Sequence, residues 1–354
     1  MAIEAEAGQG GGNANDPSPS WPVPLSVLDL APVVAGSSPA EALRRSIQLA
    51  QHAEALGYRR FWVAEHHNMP GVASSAPAVL LAHVAAATSR LRVGSGGVML
   101  PNHAPLVIAE QFGTLEALHP GRIDLGLGRA PGTDLATARA LRRTVPTGGA
   151  DDFARQVQDL FGFFRDGFAA GHPYADITPV PARGYLPEVW ILGSSDYGAQ
   201  LAGLLGLPFS FAYHFAPDNL AVALERYRAA FRPSAAFQRP HVMVAASVLV
   251  AESDEEADWL AGPARLNVLR IRTNRRAPLP TPEEAAAYPY SDAERAALAL
   301  WTASHVVGSP TTARAQLADL LERTGADELM IATSAHGFGD RERSLSLLVG
   351  GAPG

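Results

Sequence analysis

The sequence contains no cysteine and no lysine. Without cysteine there can be no disulfide bond, no thiolate metal site and no cysteine nucleophile. All 28 basic residues are arginine, which we attribute to a compositional bias and not to a mechanism. The missing thiols are consistent with a reducing compartment, so we expect a cytoplasmic protein.

Long apolar runs and blocks of like charge are also missing. No stretch of about 18 consecutive apolar residues occurs, so no membrane-spanning helix is predicted. Only 18% of the residues are charged, the net charge is −7 and no basic block occurs, which argues against a nucleic-acid partner. Residues 1–23 are rich in Gly, Asn, Ser and Pro and have no apolar core. We therefore predict a flexible N-terminal tail there and not a signal peptide.

What the sequence does contain, over residues 24–350, is a repeated alternation of apolar strands and helices. The eight predicted strands are residues 24–32, 59–67, 91–100, 122–130, 188–195, 208–215, 241–251 and 328–334. They are apolar on both faces, which is typical of buried parallel strands. Eight such units indicate an α/β protein with a (β/α)8 TIM-barrel fold. Two insertions are predicted. The one after the fourth strand (131–186) holds a helix around 151–168 between two loops, and the one between the seventh and eighth strands (262–295) is irregular.

A doubly wound open sheet is the alternative architecture. Its glycine-rich dinucleotide fingerprint should follow the first strand, and the sequence there, LAPVVAGSS, lacks it. In a barrel, the active site forms at the carboxyl ends of the strands. The candidates at those ends are Glu65, His66, His67, Ser95, Gly96, Gly97, Gly128, Arg129, Gly193, Ser194, Ser195, His214, Thr333 and Ser334.

Two of these strand ends together favour a phosphate site. Gly193, Ser194 and Ser195 lead directly into a helix, and the amides at a helix N-terminus bind anions. Arg129 ends the neighbouring fourth strand, where its guanidinium could contact the same phosphate. The alternative is a serine helix cap and an ordinary surface arginine.

Three glycines interrupt the third predicted strand in the segment VGSGGVML. Glycine weakens a strand, so it indicates a bulge or the close approach of a flat ligand. The alternative is tight packing against a neighbouring element.

The adjacent histidines His66 and His67 first suggest a metal site. Neighbours in a strand point to opposite faces, so the two cannot both face the lumen of a regular barrel. No third ligand accompanies them, and zinc is not expected. One histidine acting as an acid, a base or a polar contact is favoured. The alternative is a pair that only closes the loop through hydrogen bonds.

Three segments carry a resemblance to a known family: FWVAEHHNMPG (61–71), the block 85–134 and the segment 189–217. On these, the chain from about residue 24 to 348 resembles the bacterial luciferase-like flavin-dependent monooxygenases of the single-chain kind. The resemblance implies a TIM barrel that binds reduced FMN supplied by a separate flavin reductase. O2 would add to form a C4a-peroxyflavin, which would oxygenate an aldehyde or an aromatic secondary metabolite.

The resemblance also implies a homodimer, formed through the helices that follow the second and third strands. A deazaflavin-dependent oxidoreductase on the same fold is the alternative function. A flavin-binding protein of the same fold without turnover is a second alternative. The segments 131–186 and 262–295 offer no usable match, so the substrate is left open.

Carried over by position, the resemblance implies that His66 is catalytic. It implies cofactor-binding positions at Ser95, Gly96, Gly97, Arg129, Gly193, Ser194 and Ser195. In this comparison Arg129 and the turn formed by Ser194 and Ser195 (the serine turn) would contact the flavin phosphate. Gly96-Gly97 would form a non-proline cis peptide under the flavin ring. The luciferases have a reactive cysteine where this chain has Gly128, so no thiol chemistry is expected.

Overall fold

The computed structural model describes residues 21–130, 133–141, 150–165 and 167–350. The strands in this part of the chain are β1 (Leu25–Asp29), β2 (Arg60–Val63), β3 (Arg92–Met99), β4 (Ile123–Gly128), β5 (Glu188–Gly193), β6 (Phe209–Phe211), β7 (Val242–Val250), β8 (Val306–Gly308) and β9 (Glu328–Ala332). The helices are α1 (Pro39–Ala55), α2 (Pro77–Ala87), α3 (Pro105–Leu118), α4 (Leu135–Leu141), α5 (Ala150–Phe164), α6 (Asp196–Leu205), α7 (Leu220–Ala230), α8 (Asp254–Arg272), α9 (Pro282–Ala286), α10 (Asp292–Trp301), α11 (Pro310–Thr324) and α12 (Phe338–Val349).

The strands close into a barrel, which confirms the predicted (β/α)8 fold. Their order is β6-β5-β4-β3-β2-β1-β9-β7-β8, and β6 also pairs with β7, so that β1 to β7 and β9 form the ring. All the pairings between these strands are parallel. The short strand β8 lies outside the ring and extends the end of β7 through Val248, Leu249 and Val250.

The segment 262–295, predicted to be irregular, is largely helical in the structure. α8 continues through Pro263, which is buried together with Leu266 and Leu269. Packing of this apolar side offsets the hydrogen bond that a proline removes from a helix. α9 and α10 follow, and each begins with a capping box, at Thr281 and Ser291.

The N-terminal prediction falls partly outside the described residues, because residues 1–20 of the expected tail are not among them. Trp21 is buried, and its indole Nε1 donates a hydrogen bond of 3.1 Å to the carbonyl of Leu348 at the end of α12. Trp21, which lies within the predicted tail, is therefore held against the end of α12. No helix in the described part of the chain is long and apolar enough to cross a bilayer.

Buried charges fill the barrel at the amino ends of its strands. Arg60, only 2% exposed, contacts Asp124 and Glu188 at 2.9 Å and Glu328 at 3.0 Å. Trp62 Nε1 donates to Asp124 Oδ2 at 2.9 Å from the layer above. That layer is an apolar cluster inside the lumen, made of Leu28, Trp62, Ala64, Trp190, Met243, Ala245 and Met330. Because the lower barrel is filled, the carboxyl ends of the strands are left to hold a ligand.

Candidate active site

Glu65 joins the loops that follow β2 and β3. Its fully buried carboxylate accepts hydrogen bonds of 2.9 Å from the Nε2 atoms of His67 and His103, and one of 3.0 Å from the amide of Met99. Burial by itself raises the pKa of Glu65. The hydrogen bond and the charge of His103, together with the hydrogen bonds from His67 and the Met99 amide, outweigh burial and hold the pKa below its usual value. Glu65 is therefore a buried anion, and its hydrogen bond with His67 supports the loop that follows β2.

His66 has different surroundings from its neighbour His67. Its amide donates to the carbonyl of Ser74 at 3.0 Å. Its ring Nδ1 is buried and has no hydrogen-bond partner within the described residues. Burial lowers the pKa of His66, and nearby histidines lower it further against the opposing charge of Glu65. His66 is therefore a neutral imidazole with an unpaired nitrogen, which suits a group that accepts or donates a proton.

Arg129 and the serine turn lie side by side at the ends of β4 and β5. The guanidinium of Arg129 lies over the ring of Tyr197, in the first turn of α6, 4.4 Å from the ring centroid. Ser195 is the N-cap of α6, but its side chain makes no capping hydrogen bond. Asn219 Nδ2 holds the turn by donating to the carbonyl of Ser194 at 3.2 Å. A helix N-terminus without a side-chain cap, next to a cation, suits a phosphate group.

The glycines of β3 are required by packing between protein atoms. The peptide bond between Gly96 and Gly97 is cis, as the resemblance implied. The register of β3 against β4 also shifts at this point, so the sequence correctly indicates a bulge. A Cβ atom on Gly97 would lie 2.5 Å from Leu192 Cδ1 and 2.8 Å from the carbonyl oxygen of Gly126. Tight packing accounts for this glycine, and contact with a flavin ring stays a prediction.

Ser95 has a structural role that its position in the sequence did not indicate. Its side chain is fully buried, donates to the carbonyl of Gly126 at 3.0 Å and accepts from the Gly126 amide at 3.1 Å. The hydroxyl thus joins β3 to β4, and contact between Ser95 and a cofactor stays a prediction. Gly193 ends β5, and its carbonyl accepts from the amide of Ala212 at 2.9 Å.

Two further histidines belong to this end of the barrel. His103 binds Glu65 from 38 residues away, a contact that no local spacing predicts. His305 precedes β8, and the backbone of His214 raises its pKa against the larger lowering effect of burial. At the end of β9, the buried hydroxyl of Thr333 finds no partner among the described residues. Nowhere in the described ranges do three or more His, Cys, Asp or Glu side chains form a group that could hold a metal.

The sequence matches the family model described as luciferase-like monooxygenase over residues 23–328. Two relatives are each 47% identical to it. One is the uncharacterized protein YvbT of Bacillus subtilis (strain 168), over 324 residues that cover 92% of this chain and 95% of YvbT. The other is a luciferase-like monooxygenase of Escherichia coli (strain K12), over 309 residues that cover 87% and 91%. The N-acetyl-S-alkylcysteine monooxygenase of B. subtilis is 41% identical over 66% of this chain and 70% of its own.

Solved structures agree with these matches. Apo-MsnO8 is 40% identical, with a TM-score of 0.85 over 93% of this chain and 98% of its own. The oxygenating constituent of 3,6-diketocamphane monooxygenase from Pseudomonas putida, in complex with FMN, is 21% identical with a TM-score of 0.65, covering 94% and 98%. An F420-dependent secondary alcohol dehydrogenase is 13% identical with a TM-score of 0.65 and the same coverage. At the two lower identities the likeness shows the shared fold alone.

Proposed function

Because the chain belongs to the luciferase-like monooxygenase family, we propose that it oxygenates a small organic substrate with reduced FMN and O2 at the carboxyl end of its barrel. Homologues named as monooxygenases support an enzyme of this class. The observation that carries the choice of cofactor is the position of Arg129 over Tyr197, at the N-terminus of α6. A phosphorylated flavin fits that place, because its dianionic phosphate meets a guanidinium and the amides of a helix start.

Each residue of the site has a separate task in this proposal. Arg129, Ser194 and Ser195 hold the phosphate, with Gly193 as the turn that lets the chain enter the helix. Gly96 and Gly97 bring the backbone of β3 close to the flavin ring. Reduced FMN, when bound, supplies the electrons that activate O2.

In this proposal His66 handles the proton of the reaction. Its ring is neutral and its Nδ1 is buried, unlike that of a solvent-exposed histidine. A neutral imidazole can hold a reacting oxygen by a hydrogen bond or take up the proton that the substrate loses. Glu65, bound by His67 and His103, keeps the loop that carries His66 in position.

The partners are part of the same proposal. Reduced FMN would be supplied by a separate flavin reductase. The helices α2 and α3 expose Val79 (64%), Val107 (45%) and Leu118 (68%), and such apolar side chains on adjacent helices suit a homodimer face. Aldehydes and aromatic metabolites are the first substrates to test. The relative named for N-acetyl-S-alkylcysteines adds thioethers to that set.

One experiment tests the cofactor and the reaction together. The purified protein is loaded with reduced FMN, mixed with O2 and followed by flavin absorbance, with reduced F420 in a parallel sample. We expect a flavin transient that outlasts the oxidation of free reduced FMN, and isotope-labelled oxygen in the product of a turned-over substrate. Tight F420 binding without any effect on FMN oxidation would favour the deazaflavin alternative and overturn the proposal.

A further inference from the structure

His214 lies across the barrel mouth from His66. Three strands separate β2 from β6 in either direction around the ring, β3 to β5 on one side and β1, β9 and β7 on the other. His66 follows β2 and His214 follows β6, so the two residues come from opposite walls. A positive charge on the His214 ring would lower the pKa of His66, so protonation of one ring disfavours protonation of the other. The mouth therefore has one histidine on each side.

The backbone and ring of His214 are both fixed. Its amide donates to the carbonyl of Ala245 at 3.0 Å, and its ring Nδ1 contacts the same oxygen at 3.1 Å. Ala245 lies one residue beyond the last β6–β7 pair, between Phe211 and Val244, so its carbonyl is open to such a partner. These contacts leave the imidazole little freedom to rotate.

This anchoring decides which ring nitrogen carries the proton. A carbonyl oxygen can only accept, so Nδ1 of His214 must be the protonated nitrogen. Burial holds the pKa of His214 below its usual value, so the ring is neutral and Nε2 is a bare acceptor. Within the described residues the hydrogen bonds of this ring are all made by Nδ1. The ring of Phe215, 55% exposed, lies beside it with the centroids 4.8 Å apart.

We propose that Nε2 of His214 accepts a hydrogen bond from the substrate, and that the site prefers a small aromatic compound carrying a hydroxyl group. The exposed ring of Phe215 supplies apolar surface next to this acceptor. A substrate without the hydroxyl leaves the fixed nitrogen unpaired, and such a site discriminates against it. The inference rests on the proposed function in placing the substrate at the mouth of the barrel.

Phenol and anisole are the probes that test this acceptor. They differ in that anisole has a methyl group in place of the donated hydrogen. Binding of each to the flavin-free protein is measured by NMR titration. We expect phenol to bind about five- to tenfold more tightly than anisole, the effect of one net hydrogen bond.

A matched pair of variants assigns the preference to one atom. In His214→Asn, the side-chain amide can still donate to Ala245, but nothing replaces Nε2. We expect the phenol-to-anisole ratio to fall to about one. His83→Asn, an exposed histidine on α2, should keep the wild-type ratio. Equal binding of the two probes by the wild type, no binding of phenol, or a ratio that survives in His214→Asn would each overturn the proposal.

A measurement on the wild-type protein tests the same acceptor even if the His214→Asn variant does not fold. Nitrogen-15 spectra should show the His214 ring protonated at Nδ1 and bare at Nε2, and the Nε2 signal should move with phenol but not with anisole. A ring protonated at Nε2 would contradict the inference. Since neither measurement uses flavin or turnover, failure of FMN to bind would remove the proposed function without deciding the role of His214.

Discussion

The guanidinium of Arg129 lies 4.4 Å from the centroid of the Tyr197 ring, and this contact connects the end of β4 to the first turn of α6. A cation held against an aromatic face keeps its N–H groups, which lie in the guanidinium plane, available to another partner. The same turn offers the amides at the start of a helix. The contact therefore places two kinds of N–H donor at one point of the rim, which supports the proposed phosphate site.

Arg129→Gln should weaken FMN binding. Losing one charge-assisted contact to phosphate costs about 1.5–3 kcal/mol, or roughly ten- to a hundredfold in affinity. Quenching of flavin fluorescence measures the change. Riboflavin, which lacks the phosphate, should bind equally to the wild type and the variant. Arg226→Gln, an exposed arginine on α7, is the matched control. An equal loss for both flavins would show that Arg129 does not contact the phosphate.

His66→Asn should separate binding from chemistry. FMN affinity should be unchanged, while oxygenated product falls by about 10²–10⁴-fold and hydrogen peroxide is released in its place. His67→Gln is the matched neighbour, because the amide of Gln can still donate to Glu65 and keep the loop in position, so turnover should stay largely intact. Product analysis and peroxide detection give both readouts. Wild-type turnover in His66→Asn would exclude His66 from the reaction.

Arg60→Leu should destabilise the barrel strongly. The substitution leaves the buried carboxylates of Asp124 and Glu328 without the cation that they share, at a cost of about 3–5 kcal/mol. Arg59 is a neighbour whose half-exposed side chain reaches Glu328 only at 3.8 Å, so Arg59→Leu should cost less than about 1 kcal/mol. Urea unfolding measures both values. Similar losses in the two variants would argue against the buried network as a source of stability.

Gly126→Ala tests the close contact between β3 and β4. A Cβ atom there would lie 2.2 Å from the carbonyl oxygen of Ser95, and backbone must move to admit it. We expect a loss of about 1–3 kcal/mol in the free energy of unfolding. Gly339→Ala, in α12, meets no atom within 4 Å and should gain up to about 1 kcal/mol. If both variants unfold like the wild type, the contact is not restrictive.

His305 should make stability depend on pH. Burial lowers the pKa of His305 to about 4, with help from the charges of His214 and Arg265 and against its bond to the His214 backbone. In the unfolded chain the pKa of His305 is 6.5, so between pH 6.5 and about 4 the unfolded state binds more protons than the folded state. The free energy of unfolding therefore falls as the pH drops through this range. Urea unfolding across this range should show a shallower fall for His305→Asn. His83→Asn, exposed on α2, should follow the wild type, and identical slopes in all three would contradict the prediction.

Elements of the fold can be predicted from the sequence where the residues that cause them are neighbours in the chain. Apolar runs and helix caps repeat along the chain, so the strands of the ring are visible in the sequence. Pro263 is misleading because a proline usually ends a helix, and only its burial beside Leu266 explains why α8 continues. The short strand β8 is likewise invisible, since it forms only where β7 is long enough to pair with it.

The sequence by itself determined the alternation of strands and helices, the end of the barrel where we propose the site, and the resemblance that points to His66 and Arg129. These features depend on residue type and on spacing along the chain. Only the tertiary structure decided that Ser95 binds Gly126, that His103 binds Glu65 and that His214 stands opposite His66. Such contacts depend on strand register and on closure of the ring, which bring together side chains that are far apart in the chain.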